Sequence, residues 1–243
     1  MNDWAGKKYW LVGASEGLGQ ALAHKMSAAG VHLILSARSE DKLEELAEAL
    51  PGKADVVTVD VSDADSVKAA AEAVGDIDGV VQIAGVYWPF GAKQWDADQA
   101  TAMADINFSG AMRLMGAVVP KFVERDAGHI VLTGSLSGFR GLPNAAAYTS
   151  SKAGVMTLAE SLYADLWRTN VKVQLVNPGF VKTRLTDKND FSMPFIMEPK
   201  DAAREFFEHM NTDTFKRSFP TVFSWVFRGS QFLPDWLYYR LFA

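Results

Sequence analysis

The sequence contains no cysteine, few histidines and no cluster of basic residues. Without cysteine the chain cannot form disulfides, thiol nucleophiles or cysteine-type zinc sites. The four histidines stand singly and match no metal-ligand spacing, so we predict no metal site and interpret them as surface or strand residues. They are His24, His32, His129 and His209. A net charge of −5 without a Lys/Arg-rich stretch argues against nucleic acid as a partner.

Long apolar runs are also missing. No uninterrupted apolar stretch reaches the roughly 18 residues of a membrane-spanning helix, and the first eight residues lack the apolar core of a signal peptide. We therefore expect a soluble, cytoplasmic protein. A chain of 243 residues that is 49% apolar suits one large α/β domain over residues 1–243, because no repeat or linker divides it.

Short apolar stretches alternate with helical patterns along the chain. Strands are predicted at 9–12, 31–37, 54–61, 77–83, 129–133 and 171–176, with a short seventh at 215–219. Helices are predicted at 18–29, at 39–50 with Ser39 as its cap, after a capping box at 62–65, at 96–123 with one interruption, at 147–165 and at 199–210. Strands separated by helices require right-handed crossovers, which predicts a single-domain Rossmann-type α/β fold: a doubly wound parallel sheet with helices on both faces.

Three glycines lead from the first strand into the first helix. In Gly13-Ala-Ser-Glu-Gly17-Leu-Gly19, the first glycine permits a tight turn, the second lets the backbone approach a pyrophosphate, and the third allows the helix to pack on the strand. The N–H groups of the first helical turn then face the phosphates. The spacing predicts a dinucleotide site, and it does not support an ATP-type P-loop because no Gly-Lys-Ser/Thr follows.

A phenol and an amine share one face of the helix predicted at 147–165. Tyr148 and Lys152 are four residues apart, which stacks their side chains. An ammonium beside a phenol favours the phenolate, so we expect the pKa of Tyr148 to be drawn down towards the operating pH of a general acid or base. Ser135 lies upstream, where a buried strand is predicted to open into a glycine-rich loop.

These three motifs together resemble the classical short-chain dehydrogenase/reductase family over residues 8–183. The resemblance implies a catalytic tetrad in which Ser135 donates to a substrate carbonyl and Tyr148 gives or takes the proton. Lys152 would lower the pKa of the phenol and hold the nicotinamide ribose, and Asn107 would position a water that feeds protons to the lysine. The hydride itself would come from a nicotinamide cofactor.

The resemblance also implies which residues bind that cofactor, with Asp60 at the adenine and Thr183 at the carboxamide. These residues are Gly13, Ser15, Gly17, Leu18, Gly19, Arg38, Asp60, Val61, Ala84, Gly85, Tyr148, Lys152, Pro178, Gly179, Val181 and Thr183. Two departures put cofactor affinity in doubt: Gln82-Ile83 replaces the family's Asn-Asn and removes the amides that tie the strand to cofactor and sheet, and Val12 replaces a threonine.

The choice between NADP(H) and NAD(H) falls at the end of the second strand. Arg38 occupies the place where a carboxylate would bind the ribose diol, and an arginine can pair with a 2′-phosphate. We therefore expect NADP(H) rather than NAD(H). Glu16 points the other way, because related NADP enzymes often carry a basic residue there.

Aromatic loops are predicted around the mouth of the site, at 86–90 with Trp95, at Phe139 and at 191–197, and residues 184–198 are predicted to form a lid. They favour an oxidoreductase that interconverts a hydrophobic ketone or aldehyde with its alcohol. Two alternatives stay open: a catalytically silent NADP(H)-binding regulatory protein, and a membrane-associated reductase of a lipid-like substrate.

The C-terminal tail, residues 215–243, lacks the Val-Asp-Gly-Gly ending that is common in the family. It carries two aromatic-rich segments, at 222–227 and 233–242. Packing over the chain's own domain, a homo-oligomer contact and an interfacial membrane anchor all remain open for it, with the membrane least favoured because basic residues are few. We expect a homo-oligomer.

Overall fold

Seven parallel strands form one sheet, in the order β3-β2-β1-β4-β5-β6-β7. The computed structural model describes residues 4–189 and 191–242. The strands are β1 (Lys8–Val12), β2 (His32–Ser36), β3 (Ala54–Val56), β4 (Gly79–Gln82), β5 (Gly128–Thr133), β6 (Val171–Pro178) and β7 (Lys216–Phe219). The strand order reverses between β1 and β4, and a crevice opens at the carboxyl ends of the strands at such a switch point.

Helices cover both faces of this sheet. They are α1 (Gly17–Ala28), α2 (Glu40–Ala49), α3 (Ala64–Val74), α4 (Ala97–Ala104), α5 (Gly110–Glu124), α6 (Ala146–Leu166), α7 (Pro199–Met210), α8 (Thr221–Ser230) and α9 (Asp235–Phe242). Successive strand residues point to opposite faces, so Trp10 packs with α3, α5 and α6 whereas Leu11 packs with α1, α2 and α7. The predicted Rossmann-type fold is confirmed.

Two helix starts differ from the sequence-based expectation. Ser39 precedes α2 but its side chain makes no capping hydrogen bond. The cap of α3 is Asp63, whose carboxylate accepts from the N–H groups of Asp65 and Ser66. Ser62, the predicted capping residue, instead donates its hydroxyl to Asp60 at 2.6 Å. A carboxylate one residue later in the chain thus replaces the hydroxyl as the acceptor at the helix start.

The third strand is shorter than predicted, ending at Val56 rather than at Val61. It is an edge strand with β2 as its one neighbour. The N–H groups of Val57 and Val59 still donate to the β2 side, to Leu35 and Ala37, but the chain no longer pairs residue by residue.

The predicted break in the helix at 96–123 lies between α4 and α5. One π-helical turn, Asp105–Ser109, joins the two helices, whereas Pro120 is accommodated inside α5. Such turns place an extra residue in the helix and occur frequently at functional sites. This one carries Asn107.

Two histidines are buried. His129 lies on β5 as predicted, between the Tyr9 hydroxyl at 2.8 Å and Gln174 Oε1 at 2.8 Å, and burial lowers its pKa to about 3. His209 was expected on the surface or on a strand, which is wrong. It lies on the buried face of α7, where burial lowers its pKa to about 4.

Parts of three predicted regions lie outside the described residues: 1–3 of the domain, Asp190 in the lid, and Ala243 at the end of the tail. Among the residues that the structure describes, no helix combines the length and the apolar character needed to cross a membrane.

Candidate active site

A cleft of about 1380 Å³ opens at the carboxyl ends of the strands. All the predicted cofactor-binding residues line it, together with Ser135. They come from the ends of the strands β1 to β6 or the segments that follow them, from the start of α1 and from one face of α6. The sheet therefore brings together residues that are up to 170 positions apart between Gly13 and Thr183.

The glycine loop closes one side of this cleft. Gly13 has φ +97°, and a Cβ there would lie 2.4 Å from the backbone N of Ala84. Gly17, with φ +58°, begins α1, and a Cβ there would lie 2.8 Å from Thr183 Cγ2. The first turn of α1 carries no acidic residue, so its N–H groups suit an anionic group. These residues fit the pyrophosphate of a dinucleotide.

Charged side chains surround the end of the cleft where the adenine ribose is expected. Arg38 is exposed after β2, and its charge acts on Asp60. Burial by itself raises the pKa of Asp60, but hydrogen bonds from Ser62 and the charges of Arg38 and Arg113 outweigh it, so the pKa is lowered.

Glu16, the residue that argued against NADP(H), is paired on both sides. Its carboxylate lies 2.5 Å from Arg184 Nη2 and 3.4 Å from Lys42 Nζ. Lys42 and Arg184 were not recognised from the sequence, because helix α2 and the segment after β6 are distant in the chain. Lys42 could have been predicted from its position, because it lies four residues after Arg38, near the start of the helix that follows β2.

Lys152 is buried at the opposite end of the cleft. Its Nζ donates to the carbonyl O of Thr133 at 3.0 Å and lies 6.0 Å from the centre of the Tyr148 ring. Burial lowers the pKa of Lys152 to about 8. An ammonium in an apolar setting loses hydration, which is the cause of that shift.

The pKa of Tyr148 moves opposite to the sequence-based expectation. Burial raises it to about 12, while a hydrogen bond with Ser135 lowers it and the neighbouring Tyr87 raises it. Desolvation of the phenolate therefore dominates, and the Lys152 amine, which donates to the Thr133 carbonyl, does not draw the pKa of Tyr148 down as expected.

Ser135 directly follows β5 and caps a short 3₁₀ turn, Leu136–Phe139. Its Oγ accepts from the Ser137 N–H at 3.2 Å and from the Ser137 hydroxyl at 2.9 Å. Ser135 and Tyr148 both line the cleft, and the Ser135 hydroxyl lowers the pKa of the phenol.

Asn107 is buried behind the cleft rather than lining it. Its Oδ1 accepts from the Val86 N–H at 2.7 Å, and its Nδ2 donates to the Val86 carbonyl at 3.0 Å and to Ser151 Oγ at 3.0 Å. A Cβ at Gly85 would lie 3.2 Å from Asn107 Oδ1 and 3.5 Å from Lys152 Nζ. Asn107 therefore fixes the loop after β4 beside the lysine, a contact that its family role did not predict.

Gln82 partly replaces what the departure from Asn-Asn removes. It is buried at the end of β4, and its Nε2 donates to the Ala84 carbonyl at 2.8 Å, while its Oε1 has no partner in the described part of the chain. The longer side chain therefore folds back onto its own loop, and the predicted loss of an amide tie from this strand to the cofactor stays a prediction.

The loop after β4 also supplies a contact to Tyr148. The Tyr87 ring meets the Tyr148 ring edge-on, with centroids 4.8 Å apart. From the predicted lid, Lys188 Nζ donates to the Tyr87 carbonyl at 2.8 Å and lies 4.7 Å from the centre of the Trp88 ring. The sequence indicated aromatic residues at the mouth, but only the fold shows which ring touches Tyr148.

The fold and this cleft define a dinucleotide-binding protein of the Rossmann type, and comparison with known proteins gives its family. The profile of the short chain dehydrogenase family matches residues 7–192. An uncharacterised oxidoreductase of Myxococcus xanthus is 37% identical over 235 residues, which cover 94% of this chain and 93% of that protein. The chain belongs to the classical short-chain dehydrogenase/reductase family of oxidoreductases.

Solved structures show the same fold. A short-chain dehydrogenase/reductase of Burkholderia phymatum in complex with NAD has a TM-score of 0.86 at 24% identity, covering 94% of each chain. An alcohol dehydrogenase of the archaeon Thermococcus sibiricus, complexed with 5-hydroxy-NADP, has a TM-score of 0.79 at 25% identity, covering 88% of this chain and 94% of that one. Both NAD-type and NADP-type cofactors thus occur among the structures that share this fold.

Proposed function

We propose that this protein is an NADP(H)-dependent oxidoreductase that interconverts a hydrophobic ketone or aldehyde and its alcohol. The observation that carries the proposal is the meeting of Tyr148, Ser135 and Lys152 at one end of a cleft that fits a dinucleotide. When bound, the cofactor supplies or accepts the hydride. The residues of the chain place the substrate and handle its proton.

In the reducing direction, the Tyr148 hydroxyl donates its proton to the carbonyl oxygen. A pKa raised to about 12 keeps that hydroxyl protonated at neutral pH, as a donor requires. The Ser135 hydroxyl donates to the same oxygen and stabilises its developing negative charge. Lys152, held by the Thr133 carbonyl, adds a positive charge beside the oxygen and the phenol.

Preference for NADP(H) rests on Arg38 with Lys42 nearby. Glu16 is neutralised by Arg184, so it does not oppose a 2′-phosphate with a free negative charge. We expect Arg38→Ser to raise the KM for NADPH by roughly tenfold to a hundredfold and to leave the KM for NADH unchanged. Steady-state kinetics with both cofactors measures this, and Arg168→Ser, at an exposed arginine just beyond the end of α6, is the control. A wild-type protein that prefers NADH would contradict the preference.

The hydrophobic substrate is supported by aromatic rings that join the lid to the tail. Phe223 of α8 packs with Phe180 and Phe195 at centroid distances of 5.9 and 5.5 Å, and Phe180 packs with Phe191 at 6.0 Å. None of these four rings is among the residues that line the cleft, so they would offer apolar area to a bulky substrate that extends beyond it.

The proposal also includes a homo-oligomer, as expected from the sequence. Sedimentation of the purified protein measures its mass in solution and so tests this part of the proposal.

Tyr148→Phe tests the central role. We expect turnover to fall by roughly a thousandfold or more, because the variant keeps the ring and loses the proton, while NADPH still binds. The assay is absorbance of NADPH and NADP, then of NADH and NAD, with a panel of ketones and alcohols. Tyr163→Phe, a partly exposed tyrosine of the same helix, is the matched control. Turnover of Tyr148→Phe within a few-fold of wild type would show that Tyr148 is not the proton donor. If the wild-type protein binds the cofactor but turns over no compound of the panel, the catalytically silent regulatory protein is favoured instead.

A further inference from the structure

Helix α8 exposes large apolar side chains to solvent and buries two polar ones. It buries two serines, Ser224 and Ser230, whose hydroxyls donate to carbonyls of their own helix. On the opposite face it exposes Val222, Trp225 and Val226, which share one stripe of the helix at i, i+3 and i+4 spacing. Trp225 is 62% exposed. The inner face also carries the half-buried Phe223 and Phe227, so the helix is apolar on both faces. A surface helix of a globular protein normally turns polar side chains outward, so this apolar outward face indicates a contact surface.

Helix α9 also exposes a large aromatic side chain on its outer face. Tyr238 points inward and is almost completely buried, whereas Trp236 is 69% exposed. Trp236 and Arg240 lie one turn apart on the face away from Tyr238. Phe232, in the turn between the two helices, is 88% exposed.

Both helices are firmly attached to the body of the protein. Arg140, after β5, donates to the carbonyls of Ser230 and Leu233 at 2.7 Å each and pairs with Asp235 at 2.5 Å. The Tyr238 ring lies 3.9 Å from the Arg140 guanidinium, and its hydroxyl donates to the Gly141 carbonyl at 2.6 Å. The exposed aromatic face is therefore a fixed surface and not a loose end of the chain.

The charged residues of the tail indicate which kind of partner could cover this surface. Within the described tail, Arg228 and Arg240 are exposed and have no carboxylate partner. The one carboxylate of residues 221–242, Asp235, is already paired with Arg140. A symmetric contact with a second copy would bring the arginines of both copies together with no free carboxylate between them. An anionic lipid surface would meet both the arginines and the apolar side chains.

We propose that α8 and α9 form a docking surface for an anionic lipid membrane. Tryptophan and tyrosine favour the boundary between headgroups and acyl chains, and arginines beside them favour anionic headgroups. Trp225 and Trp236 insert at that boundary while Arg228 and Arg240 contact the headgroups. The contact is peripheral: the helices lie on the bilayer and do not cross it.

The experiment is flotation of the full-length protein, loaded with cofactor, on vesicles of phosphatidylcholine alone or mixed with phosphatidylglycerol. We expect binding to the mixed vesicles that weakens with salt, and little binding to phosphatidylcholine alone. The double variant Trp225→Ser/Trp236→Ser is expected to bind at least tenfold more weakly. Arg228→Gln/Arg240→Gln is expected to bind roughly twenty-five-fold more weakly, at about fivefold for each arginine.

Matched controls come from the far end of α6. Trp167 is 65% exposed, close to the two tail tryptophans, so Trp167→Ser and Arg168→Gln should bind like wild type. Sedimentation without vesicles is run on every variant. The proposal is overturned if wild type does not float with phosphatidylglycerol, if the tail variants bind like wild type, if Trp167→Ser loses binding equally, or if the tail variants instead dissociate an oligomer. If the double tryptophan variant fails to fold, the arginine variants still test the proposal, because they change only exposed side chains.

Discussion

Helices α6 and α8 break the usual pattern of burial in opposite ways. Helix α6 buries polar groups, among them Lys152 at 4% exposure and Ser151 beside it. Helix α8 exposes apolar groups and buries serines that are satisfied within their own helix. In α6 the buried groups bond to other parts of the protein, to the Thr133 carbonyl and to Asn107.

The contrast shows where to look for function. Burying an amine costs free energy that only an external partner or a reaction explains, so α6 indicates chemistry. Leaving large apolar side chains in water forgoes stabilisation that folding could have gained, so α8 indicates a partner outside the chain.

The largest effect is expected from Lys152→Met. Activity should fall by roughly a thousandfold, because the charge beside Tyr148 is lost. The free energy of unfolding should change by less than about 2 kcal/mol, because losing a buried amine offsets the loss of its hydrogen bond to Thr133. Kinetics and urea denaturation measure the two quantities. Thr149→Val, at another buried polar position of α6, should keep activity within a few-fold. If Lys152→Met were instead strongly destabilised and its activity loss followed its unfolding, the buried lysine would be structural.

Within the tail, Tyr238→Ala should differ sharply from Trp236→Ala. Tyr238 loses its buried ring and its contact with Arg140, so the free energy of opening α9 should fall by about 3 kcal/mol. Trp236 is mostly in solvent, so its replacement should change that free energy by less than about 0.5 kcal/mol. Hydrogen exchange of the α9 amides measures both. Equal effects would mean that α9 is not held as the structure shows.

A smaller effect is expected from pH. The amine of Lys152 is charged below its pKa of about 8 and neutral above it. In the reducing direction, kcat/KM for the cofactor reports the free enzyme and should be level below pH 8, then fall by about tenfold per unit above it. The Tyr148 hydroxyl stays protonated over this range, because its pKa is raised to about 12. A profile that stays level to pH 10, with circular dichroism unchanged, would show that the ammonium is not needed.

Local patterns in the sequence were enough to predict much of the fold. Helix α7 begins at Pro199 and ends at Met210 as predicted, because a proline at the first turn and an amphipathic stripe both mark it. Parallel strands buried on both faces read as continuous apolar runs, which located β1, β2, β5 and β6. The glycine loop and the tetrad positions followed from a family resemblance carried by short motifs.

What the sequence did not predict depends on contacts between distant segments. The cap of α3 is an exception, since it passed to Asp63 through a local bond between Ser62 and Asp60. His209 is buried by the packing of α7, and the pKa of Tyr148 rises because loops from elsewhere in the chain exclude water from it. The pairing of Glu16 with Arg184 joins residues that are 168 positions apart. No local pattern contains such information.

The segment between Arg184 and Lys188 crosses the cleft and is tied at both ends. Arg184 is fastened to Glu16 on the glycine loop, and Lys188 to the Tyr87 carbonyl on the loop after β4. An ion pair between groups this exposed contributes at most about 1 kcal/mol, so the tie to Glu16 lengthens the residence time of a bound nucleotide by no more than roughly fivefold.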